Sequence, residues 1–324
     1  MTFEDFLEEW RGQESVITVH TSGSTGTPKT IRLSKDFVRE SALRTNFFFS
    51  ITCDSRLHSC VAPDFIGGKM MAVRSELAGC RLTWETPSNR PLAGMAKDEK
   101  IDLLAVVPSQ MLHILDNLTS KPELGAIIIG GAAIHPDLRS KIINSGLNAY
   151  ETYGMTETAS HIALRKIACG EDWFMPLDGI VVSLDPRDCL RIDFKTGETV
   201  VTNDIAELNE SGGFRILGRY DNMIITGGKK VNPEAVEARI APVIREFFAG
   251  SGISSKESGD NFLITSRPDE KWGEKIVLRI EGRGGDEAFL LKLLREVLNP
   301  YEMPKEIEWV DRLPRTPNGK LLRR

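Results

Sequence analysis

The stretch Thr21-Ser22-Gly23-Ser24-Thr25-Gly26-Thr27-Pro28-Lys29 constrains this chain more than any other. It sets hydroxyls, two glycines and one lysine between two strand-like runs, 16–20 and 30–33. Glycine lets backbone N–H groups come close to an anion, hydroxyls add donors, and the lysine adds positive charge. That is the chemistry of a polyphosphate cradle; a solvated Ser/Gly loop is the plain alternative. The spacing almost fits the common phosphate-binding loop, counted from Gly23 to Lys29-Thr30. The position before the lysine should be glycine, however, and here it is Pro28, which fixes φ and lacks an N–H. Nor does a helical pattern begin at Lys29, because Thr30-Ile31-Arg32-Leu33 reads as a strand. The ordinary P-loop reading fails.

A chain of 324 residues can bury a large core and is expected to form two domains. The formal net charge of −5 argues against a general nucleic-acid or membrane surface, so an anionic ligand must be met by local lysines and arginines. Five cysteines, at 53, 60, 80, 169 and 189, are scattered and show no C-x-x-C, which reads as plain thiols in a reducing cytoplasm. The acidic start Met1-Thr2-Phe3-Glu4-Asp5-Phe6 lacks a signal-peptide pattern, and no apolar run approaches the ~20 residues of a membrane span. A cytoplasmic protein with no nucleic-acid partner and no membrane insertion is expected; a homo-oligomer is left open.

Up to about residue 155, short apolar runs at 57–62, 101–107 and 124–129 alternate with helical stretches at 69–77, 109–118 and 136–144. A further helix is expected at 3–11. Pro136 suits a first helical turn, and Ser145-Gly146 ends that helix. This alternation predicts an α/β fold with a mainly parallel sheet and helices on its faces. Short strands separated by turns follow at 179–184, 190–194, 199–202 and 213–217, suggesting a small β subdomain. From residue 219 a compact α+β lid is expected, giving domains 1–218 and 219–324. Within it, strands are predicted at 223–226, 247–253, 261–266, 276–280 and 306–310, with helices from Pro233 and over 286–298. The triplet Phe47-Phe48-Phe49 reads as core, and His58, His113 and His161 as core-edge residues without a metal spacing.

The loop at 21–29 resembles the phosphate loop of the adenylate-forming superfamily, which includes acyl- and aryl-CoA synthetases, peptide-synthetase adenylation domains and luciferases. Three further segments follow in that family's order. Tyr153-Gly154-Met155-Thr156-Glu157 resembles its magnesium and adenylate motif. Gly218-Arg219-Tyr220-Asp221-Asn222 with Ile225–Glu234 resembles its hinge, and Leu313-Pro314-Arg315-Thr316-Pro317-Asn318-Gly319-Lys320 its terminal catalytic-lysine motif.

The resemblance implies ATP, Mg2+ and coenzyme A as cofactors or co-substrates, and a small carboxylic acid as the molecule activated. It assigns Thr21, Ser22, Gly23, Ser24, Thr25, Gly26 and Lys29 to the phosphates of ATP. Tyr153 stacks on adenine, Gly131 and Ala132 floor the adenine and acyl pockets, Thr156 meets the α-phosphate, and Glu157 binds magnesium. Asp204 accepts from the ribose hydroxyls, Arg219 contacts ribose and phosphate, Asp221 is the hinge, and Gly228 and Lys229 approach CoA. Lys320 bridges the attacking carboxylate and the α-phosphate. For several of these a structural reading stands beside the functional one: a turn at 153–157, a surface ion pair for Arg219 and Asp221, a solvated tail for Lys320.

One departure is large. In most relatives the phosphate loop lies well over a hundred residues into the chain, so the usual first subdomain is expected to be missing here. A naturally compact member is preferred over a fragment. The segment Pro63-Asp64-Phe65-Ile66-Gly67-Gly68-Lys69-Met70-Met71-Ala72-Val73-Arg74, after the strand at 57–62, is the region that normally shapes the acyl pocket, and here it lacks the common histidine. Its texture is similar to the compact o-succinylbenzoate–CoA ligases of menaquinone biosynthesis. Phe65, Gly68 and Lys69 are therefore substrate candidates. Lys69 would pair with the acid's second carboxylate, or would be a solvated helix residue. Another aryl or fatty acyl-CoA ligase, a carrier-protein-loading enzyme, and a truncated non-catalytic nucleotide-binding protein are the alternatives.

Overall fold

The computed structural model describes residues 1–21, 29–251, 262–282, 284–315, 321 and 323. Alternating apolar runs and helices assemble as the pattern predicts. Seven strands form one sheet in the order Arg81–Trp84, Arg56–Ser59, Lys100–Val106, Glu123–Ile129, Ala149–Met155, Ser160–Lys166 and Met175–Pro176. The first five pair in parallel and the last two strands run antiparallel. Central strands are apolar on both faces because both are covered. Leu104, Val106, Ile127 and Ile129 bury against Met111, Ile114, Leu138 and Ile142 of helices Pro108–Asp116 and Pro136–Ser145. Leu103, Ala105, Ala126 and Ile128 face the other way, with Met71 of helix Ile66–Ala78.

The expected first helix is Phe3–Arg11, with Thr2 and Asp5 forming a reciprocal capping box. A second helix, Lys35–Phe48, went unread in the sequence; Ser34 caps it by accepting from the Phe37 N–H at 3.1 Å. It corrects the expectation for the phenylalanine triplet. Phe47 is 82% exposed and Phe48 46%, because the helix turns its last residues outward; Phe48 meets the Tyr150 ring edge-on at 5.7 Å, and Phe49 packs on the core against the same ring.

A two-stranded hairpin pairs Val16–Thr21 with Lys29–Ser34, and a four-stranded sheet follows the order Ile180–Leu184, Cys189–Phe194, Thr199–Leu208, Phe214–Arg219. Contacts divide the chain into two compact units. The first comprises Met1–Ser183, Arg191–Val200 and Leu208–Arg215, the second Leu184–Leu190, Val201–Glu207 and Ile216–Arg324, so the four-stranded sheet contributes to both.

In the second unit, strands Lys229–Val231, Ile224–Thr226, Gly273–Glu281 and Phe262–Asp269 form a sheet, with Glu306–Val310 parallel to Gly273–Glu281. Helices Pro233–Ser251 and Glu287–Arg295 cover it through Val236, Ile240, Ile244, Phe247, Leu290 and Leu294. The strand expected at 247–253 is corrected: its first five residues continue the helix. Val236, Ile240, Ile244, Phe247 and Phe248 recur every three or four residues, so one helical stripe buries what looked locally like an apolar strand. All five cysteines are free thiols. No helix among the described residues is long and apolar enough to cross a membrane.

Candidate active site

The hairpin places the ends of the hydroxyl- and glycine-rich loop side by side, because Thr21 pairs with Lys29 across it. Ser22, Gly23, Ser24, Thr25, Gly26 and Pro28 lie outside the described residues. Lys29 is exposed at the start of its strand, as the strand reading of 30–33 requires. That strand packs beside the short turn Thr156–Thr158.

The turn itself is a strained and braced piece of backbone. Ala159 and Ser160 hold φ of 49° and 78°, values a side chain disfavours. Ser41 Oγ donates to the Ala159 carbonyl at 2.7 Å, and Thr158 Oγ1 accepts from the Met155 N–H at 2.9 Å while donating to the Ser160 carbonyl. At Gly154 any Cβ would lie 2.2 Å from the Ser160 carbonyl oxygen, so glycine is required where the two strands slip register. The result presents Thr156 half-buried and Glu157 exposed at the strand's end. Tyr153, one residue before the bulge, sets its ring 5.0 Å from Phe214 and 5.8 Å from Phe174.

Glu123–Ile129 is the parallel neighbour of Ala149–Met155, so Gly131 and Ala132 leave the sheet at the same edge as Tyr153 and are exposed. Gly131 has φ +89°, and a Cβ on Gly130 would meet Thr152 Oγ1 at 2.6 Å. Small residues here thus have two local causes, a left-handed turn and a close strand approach. The carboxyl edge of this sheet therefore gathers Gly131, Ala132, Tyr153, Thr156 and Glu157, with the strand that begins at Lys29 packed beside the turn, where open α/β folds place ligands.

Behind that edge lies a buried polar cluster that the sequence reading did not single out. Helix Ile66–Ala78 carries Arg74, 1% exposed, whose Nη1 reaches only the Met71 sulfur at 3.6 Å. Its Nε and Nη2 have no hydrogen-bond partner among the described residues. Burial pulls the guanidinium down to about 9, which still leaves it charged at neutral pH. Nearby, Asn46 Nδ2 donates to the Arg74 carbonyl at 2.9 Å, and Thr45 Oγ1 meets His161 Nε2 at 3.0 Å. Burial first, then Arg74 and Arg44, holds the His161 imidazole well below its usual range. His58 and His161 are thus fully interior, at 3% and 4% exposure, rather than at the core's edge.

On the same helix Lys69 is also buried, at 2%. Its ammonium sits 4.3 Å from the Phe6 ring centroid and 2.8 Å from the Met1 sulfur, and burial lowers its pKa. Of the two readings of Lys69, the solvated one does not describe this position. Gly68 lets the helix approach the preceding loop, since a Cβ there would be 2.2 Å from the Ala62 carbonyl oxygen. Phe65 is 42% exposed just before that helix.

The second unit collects a separate set. Asp204 is buried and accepts from Arg219 Nη1 at 3.0 Å, while Arg219 Nη2 pairs with Asp221 at 2.9 Å. Asn203 Nδ2 donates to both Asp221 oxygens, and Arg187 donates to Asn203 Oδ1 at 2.9 Å. Asp221 lies in the turn Tyr220–Asn222. Gly227 and Gly228, with φ of +54° and +75°, make the tight turn between Ile224–Thr226 and Lys229–Val231, leaving Lys229 exposed. Lys320 lies outside the described residues; Arg315 and Leu321, on either side of it, bridge each other. Arg323 then anchors the tail through Glu237 at 2.5 Å.

Comparison with known proteins places this architecture. The profile of the AMP-binding enzymes matches residues 6–204, and that of the AMP-binding enzyme C-terminal domain matches 260–320. A solved acyl-CoA synthetase (AMP-forming)/AMP-acid ligase II-like protein from Dyadobacter fermentans is 34% identical, with a TM-score of 0.63 over 98% of this chain and 90% of that one. A 2-succinylbenzoate–CoA ligase of Bacillus cereus (strain ZK / E33L) is 25% identical, spanning 98% of this chain and 70% of that protein. The o-succinylbenzoate CoA synthetase of Bacillus subtilis, solved with its acyl-adenylate intermediate, shares the fold at a TM-score of 0.77 and 20% identity, covering 94% of this chain and 67% of its own. The chain belongs to the AMP-binding enzyme family.

Proposed function

We propose that the protein is an ATP-dependent acid–CoA ligase that works through an acyl-adenylate, and that its acid is an aromatic one with a second carboxylate, o-succinylbenzoate. The observation that carries the choice of acid is Arg74. A guanidinium in an apolar interior with two nitrogens unpartnered among the described residues is costly unless an anion arrives to meet it. A planar fork of donors suits a carboxylate bidentately. The Bacillus cereus relative, named for 2-succinylbenzoate, supports the same acid. Lys69 is the second basic candidate for that carboxylate, although the Phe6 ring and the Met1 sulfur already occupy its ammonium.

The remaining roles follow from the two sets of residues. Residues 21–26 and Lys29 would hold the ATP phosphates, Tyr153 the adenine, with Gly131 and Ala132 beneath it. The exposed carboxylate of Glu157 is a hard oxygen donor of the kind magnesium takes, and it stands beside the hydroxyl of Thr156. Magnesium, when bound there, would neutralise phosphate charge as the acid attacks. Asp204 and Arg219 would bind the ribose, with Arg219 already oriented by two carboxylates. Lys320 would align the attacking carboxylate with the α-phosphate. Residues 219–324 would act as a lid turning at Asp221, bringing Gly228 and Lys229 toward CoA for the thioester step, in the cytoplasm.

Pyrophosphate release over a panel of acids, with and without CoA, tests the reading. The expected result is CoA-dependent turnover with o-succinylbenzoate. Arg74→Met should raise KM for it about ten- to a hundredfold, the worth of a charge-assisted bond of about 1–3 kcal/mol. Benzoate or a fatty acid should show no such loss. Lys69→Met in the same assay separates the two basic residues, since only the one that meets the second carboxylate discriminates between acids. Failure of every dicarboxylate aryl acid would remove this acid and leave the ligase class.

A further inference from the structure

A second polar cluster, made of none of the residues proposed for ATP or the acid, lies at the edge of the large sheet. His58 and Cys60 alternate onto one face as strand Arg56–Ser59 ends, and Glu85 follows the parallel edge strand Arg81–Trp84. Pairing of Ser59 with Trp84, extended by the Glu85 N–H to the Ser59 carbonyl, sets Glu85 beside Cys60. The imidazole, thiol and carboxylate offer three donor atoms all within 4.8 Å of one another. His58 Nε2 is 3.7 Å from Glu85 Oε2.

The placement of the donors makes this a site rather than a contact. Thr83 Oγ1 lies 2.8 Å from His58 Nδ1 and 3.3 Å from the Leu57 carbonyl, while the other ring nitrogen, Nε2, faces Glu85. Nε2 belongs to a residue 3% exposed and makes no hydrogen bond among the described residues. A buried ring nitrogen held beside a carboxylate and a thiol is a donor set that one shared cation would satisfy. A tetrahedral ion with bonds of about 2.0–2.3 Å holds its donors roughly 3.4–3.7 Å apart, so the observed separations need only small side-chain movements.

We propose that His58 Nε2, the Cys60 thiolate and the Glu85 carboxylate bind one divalent cation of the zinc class, with a water as fourth ligand. One nitrogen, one sulfur and one oxygen are a borderline-soft set that favours zinc over magnesium or calcium. Two anionic ligands neutralise the ion, and the Cys60 proton leaves to solvent on binding. Thr83 is the outer partner that fixes the ring, and the Leu92 N–H, 3.0 Å from Glu85 Oε2, holds the carboxylate. Lys121 is the competing cation: its ammonium donates to the Pro91 carbonyl at 2.9 Å, and its field reaches both Glu85 and Cys60. Glu85 is half-buried, which leaves a path for the ion and its water. The ion would clip the edge strand to the sheet next to the segment that leads into Phe65.

Full-length protein stripped with chelator and titrated with Zn2+ or Co2+ tests this without any activity assay. One equivalent should bind and survive gel filtration, and the cobalt form should show thiolate-to-cobalt charge-transfer absorption. Cys60→Ser should abolish that absorption and weaken zinc binding at least tenfold. Thr83→Val, which leaves all three ligands in place, should weaken it about ten- to a hundredfold with an unchanged circular dichroism spectrum. Binding well below one equivalent overturns the proposal. So does a charge-transfer band that persists in Cys60→Ser, which would assign the metal to the exposed Cys53 or Cys169.

Discussion

Arg74 concentrates a conflict between stability and binding in one side chain. It is 1% exposed and two of its nitrogens lack partners among the described residues, so in the ligand-free protein its charge is a cost. Arg74→Met keeps volume and removes the charge. It should raise unfolding free energy in urea by about 1–4 kcal/mol, the range seen when apolar residues replace buried charge networks. A less stable variant would mean the guanidinium holds the core together instead of waiting for an anion. His161, beside it, gives a prediction with a defined sign. Its pKa is depressed in the fold, by burial and then by Arg74 and Arg44, while the unfolded chain titrates near 6.5. Below that value the unfolded state takes up a proton that the folded state refuses. The contribution is therefore complete above about pH 6.5 and lost as pH falls, by at most about 1.4 kcal/mol per unit. His161→Gln should flatten the stability profile between pH 6.5 and 5.5; an unchanged slope would assign the loss to other groups. Neither residue was legible as more than an ordinary charge or core-edge ring, because sequence does not say which elements will close over a helical position. The motif residues were legible since loop chemistry is local.

At the scale of elements, two glycines that look alike in sequence should behave differently. Gly146, read in advance as the end of helix Pro136–Ser145, is its left-handed cap with φ +71° and open space around a would-be Cβ. Gly146→Ala should cost only about 1 kcal/mol, the backbone preference alone. Gly154→Ala must instead push a methyl group against the Ser160 carbonyl oxygen at 2.2 Å and His161 Cα at 2.5 Å. Backbone on both strands has to part, at a cost of about 2–4 kcal/mol and with Thr156 and Glu157 displaced. Urea denaturation of both variants checks the order, and equal losses would show that the turn relaxes freely. The first glycine was readable because a helix cap is a sequence-local event. The second was not, since its neighbour arrives through a strand pairing and a bulge. The same distinction explains the misread run at 247–253. Phe247 and Phe248 look like strand in a short window, whereas their partners in the stripe, Val236, Ile240 and Ile244, lie up to three turns earlier.

At the scale of the whole molecule, the candidate residues fall into two compact units, Glu157 in the first and Asp204, Arg219, Asp221 and Lys229 in the second. The order of the four motifs was enough to anticipate both halves of the proposed reaction, but not the ion pairs that tie Arg219 to Asp204 and Asp221. Those contacts matter for testing the hinge. Asp221→Pro fixes φ but also removes the carboxylate that Arg219 and Asn203 hold, so Asp221→Ala must accompany it. If residues 219–324 turn at this residue between adenylation and thioester formation, the proline variant should slow one half-reaction far more than the other, while the alanine variant affects both mildly. Lys320→Ala supplies the complementary measurement. It should suppress pyrophosphate release from acid and ATP by about 100-fold or more, on the scale of losing one positioned charge from a transition state. Thioester formation from a pre-made acyl-adenylate and CoA should stay near the unmodified rate, because that step no longer needs a charge between carboxylate and α-phosphate. Single-turnover assays of each half-reaction separate these outcomes. Equal losses in both steps for Lys320→Ala, together with indistinguishable proline and alanine variants at 221, would mean that the whole reaction runs without a turn at residue 221.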